Sequence, residues 1–434
     1  NHGYCPPGFS DKLLVFSPQT PGAGIDGWPL RAQSINPPSC SVQLPEMNPP
    51  SNTTLAFPAM EFESRLARLT ANLNERGLDA LITFVQENQY WLCGYETTGF
   101  HSFPQGLIVT ASGGKLLITR QLEIENALER AFELPAIGYQ DGEDPGTAIA
   151  RGLIDLGLGG ANIGLEKKTP WLTVEIGESL KKVAPDASFE DCSGLIEQLR
   201  SVKSPAEIGY MRSAALCVGA AINAGIQTVS AGASELDVAA SVSRARTQAG
   251  SHFTRNPTYI TSGINSALGH ASWTGRTIAE DEIVYFELGA NVRHYDSALI
   301  RTAVAGRAST QMKKHHAASC AALDAALETL MPDVPAREVH LAAQSTLDRL
   351  GCGHFFDHRI GYGIGIEFLT WIERGGMSLD SVSIQNIEPN MTFHLIPFIK
   401  VPGQYSIGVS ETVRVTETGY EILETGCPRQ LYEC

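Results

Sequence analysis

The sequence lacks the features that mark several large classes of protein. Basic residues are scarce: 32 Lys and Arg stand against 47 Asp and Glu, which gives a net charge of −15 over 434 residues. A nucleic-acid binder needs clustered basic side chains to neutralise phosphates, so this composition argues against that class. No apolar run approaches the roughly 20 residues that span a bilayer, which predicts a soluble protein without a membrane partner. GxSxG and P-loop motifs are absent too, so a serine hydrolase and a nucleotidase have no support.

Cysteine is present, but in no pattern that binds metal. The nine cysteines are scattered, with no CxxC pair and no zinc spacing. Cys93 and Cys217 fall in apolar patterns, which favours buried thiols over disulfides. Cys5 and Cys40 would form a bridge if the protein were secreted. We expect a cytoplasmic protein; because the chain begins with Asn, removal of an N-terminal segment stays an open alternative.

The chain is long enough for two domains. Residues 1–57, rich in Pro, Gly, Ser and Asn, predict an extended N-terminal arm. Within 58–199, a helix that ends at Gly77 precedes the strands "DALITFV", "GLIVTA" and "KLLITR", separated by helices, which indicates an α/β domain. A capping box that begins at Ser204 opens the first helix of the second domain, 200–434. In that domain long helices group against antiparallel strands, an α+β arrangement.

Further elements of the second domain follow from periodicity. The predicted helices span about 233–249, 309–330 and 336–350, and the predicted strands span about 282–289, 298–304, 391–397 and 407–415.

Several segments occur in an order and at spacings that resemble a known family. They are "RSVKSPAEIGYMRSAA", "SGINSALGH", "FELGANVRHYDSALIRT", and "GYGIGIE" followed by "SETVRVTETGYEIL". They look like the pita-bread family, which holds methionine and Xaa-Pro aminopeptidases, creatinase and ectoine hydrolase. The resemblance covers about 58–430. It implies a creatinase-type N-terminal α/β domain followed by a pita-bread domain, in which helices pack on a curved antiparallel sheet.

The metallopeptidases of this family bind two metal ions through two Asp, one His and two Glu, donors that suit divalent ions. Of the five corresponding positions here, only Glu287 and Glu411 keep a carboxylate. The other three positions hold residues that are not metal ligands of this kind: Ala298, Tyr362 and Ile396. The resemblance therefore implies that no metal is bound, and we expect no other cofactor. The peptidase interpretation falls with the metals.

Creatinase and ectoine hydrolase are the branches that lost the metals, and this sequence looks closer to ectoine hydrolase. The similar features are "FE" at the first ligand strand, "GY" in place of "GH", "EPNMTFH", and the ending "PRQL". Ile300 stands where creatinase has a Glu. The resemblance implies a metal-independent hydrolase that opens a C–N bond in a small cyclic or amidine-like molecule. It also implies a homodimer.

The same resemblance assigns catalytic roles. His270 matches the proton-transferring His of the family, and imidazole suits general acid–base work at neutral pH. Glu287 and Glu411 would converge in the former metal pocket and bind a cationic group. Tyr362 would donate a hydrogen bond to the developing oxyanion.

Other residues are candidates for binding the substrate. His394 shares a strand face with Ile396, Asp296 shares one with Ala298 and would partly rescue a one-metal site, and two aromatic residues would wall the pocket, Trp273 and Trp371. A substrate carboxylate needs a cation. Spacing leaves the choice open among three arginines, of which the first suits a structural ion pair better: Arg301, Arg359 and Arg374.

Two other functions stay open. The pocket would serve a biosynthetic enzyme that catalyses a cyclisation, an elimination or an isomerisation. A catalytically inactive peptidase fold that acts as a binding protein is the second alternative. The retention of His270, Glu287 and Glu411 argues against it, because a scaffold has no need of buried titratable groups.

Overall fold

The computed structural model of the chain describes residues 55–253 and 257–434. Up to position 54 the predicted arm, including Cys5 and Cys40, lies outside the described residues. The α-helices are α1 (Ala59–Glu75), α2 (Gln86–Cys93), α3 (Ile124–Arg130), α4 (Pro145–Asp155), α5 (Val174–Val183), α6 (Leu195–Ser201), α7 (Pro205–Thr228), α8 (Glu235–Gln248), α9 (Thr310–Thr329) and α10 (Ala336–Arg349). The strands are β1 (Ala80–Thr83), β2 (Gly106–Thr110), β3 (Lys115–Arg120), β4 (Ala136–Tyr139), β5 (Asn162–Leu165), β6 (Ser188–Asp191), β7 (Tyr259–Ser262), β8 (Glu282–Val292), β9 (Tyr295–Ala305), β10 (Gly361–Gly363), β11 (Ser378–Leu379), β12 (Thr392–Leu395), β13 (Ile399–Val401), β14 (Tyr405–Ile407), β15 (Glu411–Thr416), β16 (Gly419–Ile422) and β17 (Tyr432–Glu433).

The first six strands form one mixed sheet in the order β4-β3-β2-β1-β5-β6. Helices cover both faces of this sheet, as the α/β prediction required. The prediction was wrong in one respect, because no helix separates β2 from β3. These strands pair antiparallel across a tight turn in which the Thr110 N–H donates to the Gly114 carbonyl at 2.9 Å. Gly113 takes a positive φ of 93° there, so "SGG" encodes a hairpin.

The boundaries of two helices confirm the capping arguments. After α1, Gly77 adopts a φ of 68°, the left-handed conformation that ends many helices. At the start of α7, the Ser204 side chain accepts from the Glu207 N–H and the Glu207 carboxylate accepts from the Ser204 N–H. The sequence pattern thus locates both helix ends correctly.

The later strands form three sheets that pack with α7–α10. Their orders are β17-β9-β8-β7, β11-β10-β12-β15-β16, and the pair β13-β14. All pairings are antiparallel except that of β17 with β9. This confirms the predicted α+β class of the second domain.

Strand β8 separates a helix-covered face from the face that carries the site. Side chains alternate across a strand. Phe286 and Leu288 pack with α7 and α8, whereas Tyr285 and Glu287 point to the other side. Glu287 pairs with Ile300 of β9 across the ladder.

The predicted strand at 407–415 is two strands, β14 and β15. Gly408 lies between them, and a Cβ there would lie 2.6 Å from the Phe398 Cα, so the chain passes close to its neighbour at this point. Ser410 then turns its hydroxyl towards β9 and accepts the Ile300 N–H at 2.5 Å. The four-residue strand β7 was missed, because so short a segment has little periodicity.

Two smaller expectations concern thiols and membranes. Cys93 and Cys217 are buried free thiols, as predicted. Over residues 55–253 and 257–434, no helix combines the length and the apolar character that crossing a bilayer requires.

Candidate active site

A cavity of about 600 Å³ opens beside β8, at the face that carries Glu287. Five of the residues proposed from the sequence line it or contribute to its wall: His270, Glu287, Arg359, Tyr362 and Trp371. The structure therefore brings together residues that are about one hundred positions apart in the sequence.

Glu287 is a carboxylate among aromatic rings. The Tyr285 hydroxyl lies 3.5 Å from its Oε2, and Tyr259 is its partner across the β7–β8 ladder. Burial raises the pKa of Glu287 to about 7. A bound cation would favour the ionised carboxylate, because opposite charge counteracts the cost of burial. The group is thus poised to exchange a proton for a cationic ligand near neutral pH.

His270 follows the short helical turn at Gly263–Ala267 and lies at the cavity mouth. Gly263 has a φ of 54°, and a Cβ there would lie 1.8 Å from a carboxylate oxygen of Glu282, so any larger residue would require the Glu282 side chain to move. His270 itself has a φ of 59°, and its exposed ring lies 5.6 Å from that of Tyr259. The turn presents the imidazole to both solvent and cavity.

Tyr362 closes the inner wall. Its hydroxyl accepts a hydrogen bond from the Trp371 indole N–H at 2.8 Å and lies 3.0 Å from His394 Nδ1. His394 is fully buried, with its Nε2 2.7 Å from the Ser410 hydroxyl. The sequence placed His394 among the substrate-binding residues, but it does not line the cavity, and both of its ring nitrogens contact other side chains, Tyr362 and Ser410.

Arg359 is the candidate arginine that lines the cavity. Its guanidinium lies 4.6 Å above the Tyr362 ring, and it donates to the Ser378 hydroxyl at 3.3 Å. Across residues 55–253 and 257–434 no carboxylate forms a salt bridge with it. Lys400, which also lines the cavity, is paired with Asp357 at 2.9 Å. Arg359 is therefore available to an anionic group of a ligand.

The other two arginines do not line the cavity. Arg301 is fully buried and forms an ion pair with Glu411 at 3.0 Å, which confirms the structural ion pair expected for it. Arg374 is near Glu367, whose pKa is raised by burial and by the neighbouring Glu87, and it does not line the cavity.

Glu411 does not share the cavity with Glu287. Its carboxylate lies 3.0 Å from Arg301 and 3.5 Å from Arg429, and burial raises its pKa to about 7 despite these two cations. It is absent from the described cavity lining. We therefore correct the expectation of a converging carboxylate pair, because β15 turns Glu411 towards the arginines.

Asp296 and Trp273 also lie away from the cavity lining. Asp296 is fully buried and faces Asn291 across the β8–β9 ladder. Burial lowers the pKa of Arg246, and the negative charge of Asp296 counteracts this shift. Trp273 packs against the core beneath α7 and α8. For these two residues, spacing along the sequence did not reveal the direction of the side chain.

The residues present do not fit the two-metal centre of the metallopeptidases. Of the five ligand positions, only Glu287 presents a carboxylate to the cavity. Ala298 is a buried methyl group, Tyr362 is a phenol, Ile396 is apolar, and Glu411 is held by arginine. Among the described residues no group of three or more His, Cys, Asp or Glu side chains is placed to hold a metal ion.

The sequence analysis missed two tyrosines of the site, Tyr259 and Tyr285. Tyr285 precedes Glu287 by two positions, so strand alternation alone would have placed it on the same face. Tyr259 lies on the strand that was not predicted, and its pairing with Glu287 is a matter of register that the letters do not reveal.

The fold and the cavity together define a two-domain pita-bread protein with a creatinase-type first domain. Residues 209–417 match the family described as metallopeptidase family M24, and residues 65–202 match the creatinase/prolidase N-terminal domain. An uncharacterized hydrolase/peptidase, y4tL from Sinorhizobium fredii, is 30% identical over 387 residues, which cover 86% of this chain and 97% of that protein. The chain therefore belongs to metallopeptidase family M24, and it falls among the hydrolases of that family.

Solved structures share the fold. The prolidase from Thermococcus sibiricus has a TM-score of 0.78 at 23% identity, covering 86% of this chain and 100% of its own. The N-terminal domain of the FACT complex subunit SPT16 from Cicer arietinum has a TM-score of 0.69 at 14% identity, covering 86% and 98%. At these identities the likeness concerns the fold alone, so the function must be argued from the cavity.

Proposed function

We propose that this protein is a metal-independent hydrolase that opens a C–N bond in a small, carboxylated, amidine-like compound, in the manner of ectoine hydrolase. One observation carries the proposal. Of the five positions that hold metal ligands in the metallopeptidases, only Glu287 presents a carboxylate to the cavity, and the same cavity holds an arginine without a carboxylate partner among the described residues, Arg359.

The charges and rings of the cavity support a zwitterionic substrate. Glu287 would hold the cationic end, and the tyrosine rings beside it, Tyr259 and Tyr285, favour a delocalised cation through their π faces. Arg359 would bind the carboxylate, for which its planar guanidinium suits a two-point contact. An amidinium joined to a carboxylate matches both ends.

The residues give a balanced hydrolysis. His270 takes a proton from water, and the oxygen attacks the amidinium carbon to give a tetrahedral intermediate. Tyr362 donates a hydrogen bond to the new oxygen. One C–N bond then breaks with its electron pair going to nitrogen, and His270 returns the proton to that nitrogen. The remaining hydroxyl proton leaves with the amine as it becomes an ammonium, so the products are an amide and an ammonium group.

The role of Glu287 is tested by replacing it with Gln, which keeps the shape and removes the charge. We expect Glu287→Gln to weaken binding of ectoine on the order of 10- to 100-fold, since a hydrogen bond to a charged group contributes about 1.5–3 kcal/mol. Because only the ionised carboxylate attracts the cation, wild-type affinity should rise with pH through about 7, where Glu287 loses its proton. The variant should show no such rise. Isothermal calorimetry between pH 5.5 and 8.5 measures both effects.

Asp357→Asn is the matched control, because Asp357 lines the same cavity but is already paired with Lys400. Its affinity for ectoine should stay within about threefold of wild type, as expected for a surface ion pair. Unchanged affinity of Glu287→Gln, or wild-type binding independent of pH, would contradict the assignment of Glu287.

We also keep three further points as proposals: a homodimer, which the family resemblance implies; a cytoplasmic location; and a domain boundary near residue 199. Glu411 no longer takes part in the proposed substrate contact, because Arg301 and Arg429 engage it.

A further inference from the structure

The hydroxyl of Tyr362 has two hydrogen-bonding partners within the protein, Trp371 and His394. Trp371 Nε1 lies 2.8 Å from the oxygen, and an indole nitrogen only donates. The second partner, His394 Nδ1 at 3.0 Å, donates or accepts according to its tautomer. The direction of the phenol proton therefore depends on which nitrogen of His394 carries hydrogen.

Ser410 decides the tautomer. Its hydroxyl oxygen accepts the Ile300 backbone N–H at 2.5 Å, and it lies 2.7 Å from His394 Nε2. A hydroxyl has one proton to donate, and among the described residues the acceptor for the Ser410 proton is His394 Nε2. If Nε2 carried a proton instead, Ser410 would receive two donors and its own proton would lack a partner, which is costly in a fully buried site.

The position of the His394 proton determines which hydrogen bonds Tyr362 accepts. With Ser410 donating to Nε2, the proton of the neutral imidazole is on Nδ1 and points at the Tyr362 oxygen. Burial and the nearby Arg301 lower the pKa of His394 to about 3, so the ring is neutral at physiological pH. Tyr362 then accepts two hydrogen bonds, from His394 and from Trp371. Its own proton is left to point into the cavity that the residue lines.

We infer that His394 is a positioning residue, which together with Ser410 turns the Tyr362 O–H towards the substrate. The inference deepens the proposed function and rests on it in one respect, because the proton has a use only if an oxygen develops in this cavity. The chain of donors runs from the Ile300 N–H through Ser410 and His394 to Tyr362. A phenol held in this way needs no reorganisation when charge develops, which is the basis of an oxyanion-stabilising donor.

The tautomer of His394 is the direct test, and it needs no substrate. In the full chain labelled with ¹⁵N-histidine, the ring signals of His394 are assigned by their loss in His394→Asn. We expect a protonated Nδ1 and a bare, accepting Nε2 at pH 7. An Nε2-protonated ring, or a doubly protonated one, would overturn the inference. The result stands whether or not ectoine is turned over, so failure of the proposed function is distinguishable from failure of this step.

Kinetics provide the second test. Ser410→Ala removes the donor that fixes the tautomer, so kcat should fall on the order of 10- to 100-fold with KM changed less than twofold. His394→Asn keeps an N–H near the position of Nδ1 and should retain most of kcat, whereas His394→Leu should not.

Ser319→Ala is the matched control for these variants. Ser319 is also fully buried, and its hydroxyl accepts the Val409 N–H at 3.2 Å, but it has no link to Tyr362 in the described structure. Its kcat should stay near wild type. Equal losses of kcat in Ser410→Ala and Ser319→Ala would contradict a specific positioning role.

Discussion

Replacing His270 with Ala is expected to lower kcat on the order of 10²–10⁴-fold, with folding intact. His270 lies on an exposed turn at the cavity mouth, so its removal deletes the proposed acid–base group without opening a gap in the core. Because the vacated space is open to solvent, added imidazole should restore part of the rate. Turnover of ectoine at saturating concentration, with and without imidazole, measures both effects.

His354→Ala is the control for this variant. His354 is also exposed, but it does not line the cavity. Its kcat should be unchanged. Wild-type turnover by His270→Ala would remove His270 from the mechanism, and a loss without any rescue by imidazole would point to a structural role for the turn.

The second large effect concerns stability. At pH 8.5, where Glu411 is ionised, Glu411→Gln should lower the free energy of unfolding by about 3–5 kcal/mol, the usual cost of leaving one member of a buried ion pair without its partner. The unpaired charge would be that of Arg301, which is fully buried and, among the described residues, otherwise donates to backbone carbonyls such as those of Ser410 and Cys427. Urea denaturation followed by circular dichroism measures the change.

The matched control is Glu421→Gln, because Glu421 pairs with Arg212 and Arg414 at a partly exposed position. Its cost should stay below about 1 kcal/mol. The affinity of folded Glu411→Gln for ectoine should equal that of wild type. Normal stability together with weakened binding would return Glu411 to the substrate site and contradict the assignment made from its contacts.

The sequence was informative where function depends on local pattern. The capping box at Ser204, the strand that carries Glu287 and the glycine-flanked Tyr362 were all predicted, because each depends on a few adjacent residues. The family resemblance added the order of the segments. Together these yielded the fold class and five of the residues that line the cavity.

The sequence was not informative where function depends on packing between distant strands. Glu411 and Glu287 looked equivalent, since both occupy former ligand positions. Of the two, only Glu411 pairs with Arg301, and this contact between distant strands does not follow from the periodicity of the sequence. His394 was likewise predicted to bind the substrate, because its contacts with Tyr362 and Ser410 join residues that are distant in the sequence. Its partner Ser410 follows the break at Gly408, which separates β14 from β15 and which no repeat of apolar residues signals.

We propose that this family M24 protein opens a C–N bond without metal. The most direct test is a proton NMR time course of the chelator-treated full chain with ectoine, alongside the same protein after addition of Mn²⁺ or Zn²⁺. We expect acetylated diaminobutyrate to appear at the same rate in all samples. Hydrolysis that appears only after metal is added would contradict the account, and a substrate that binds but stays intact in every sample would favour a binding protein.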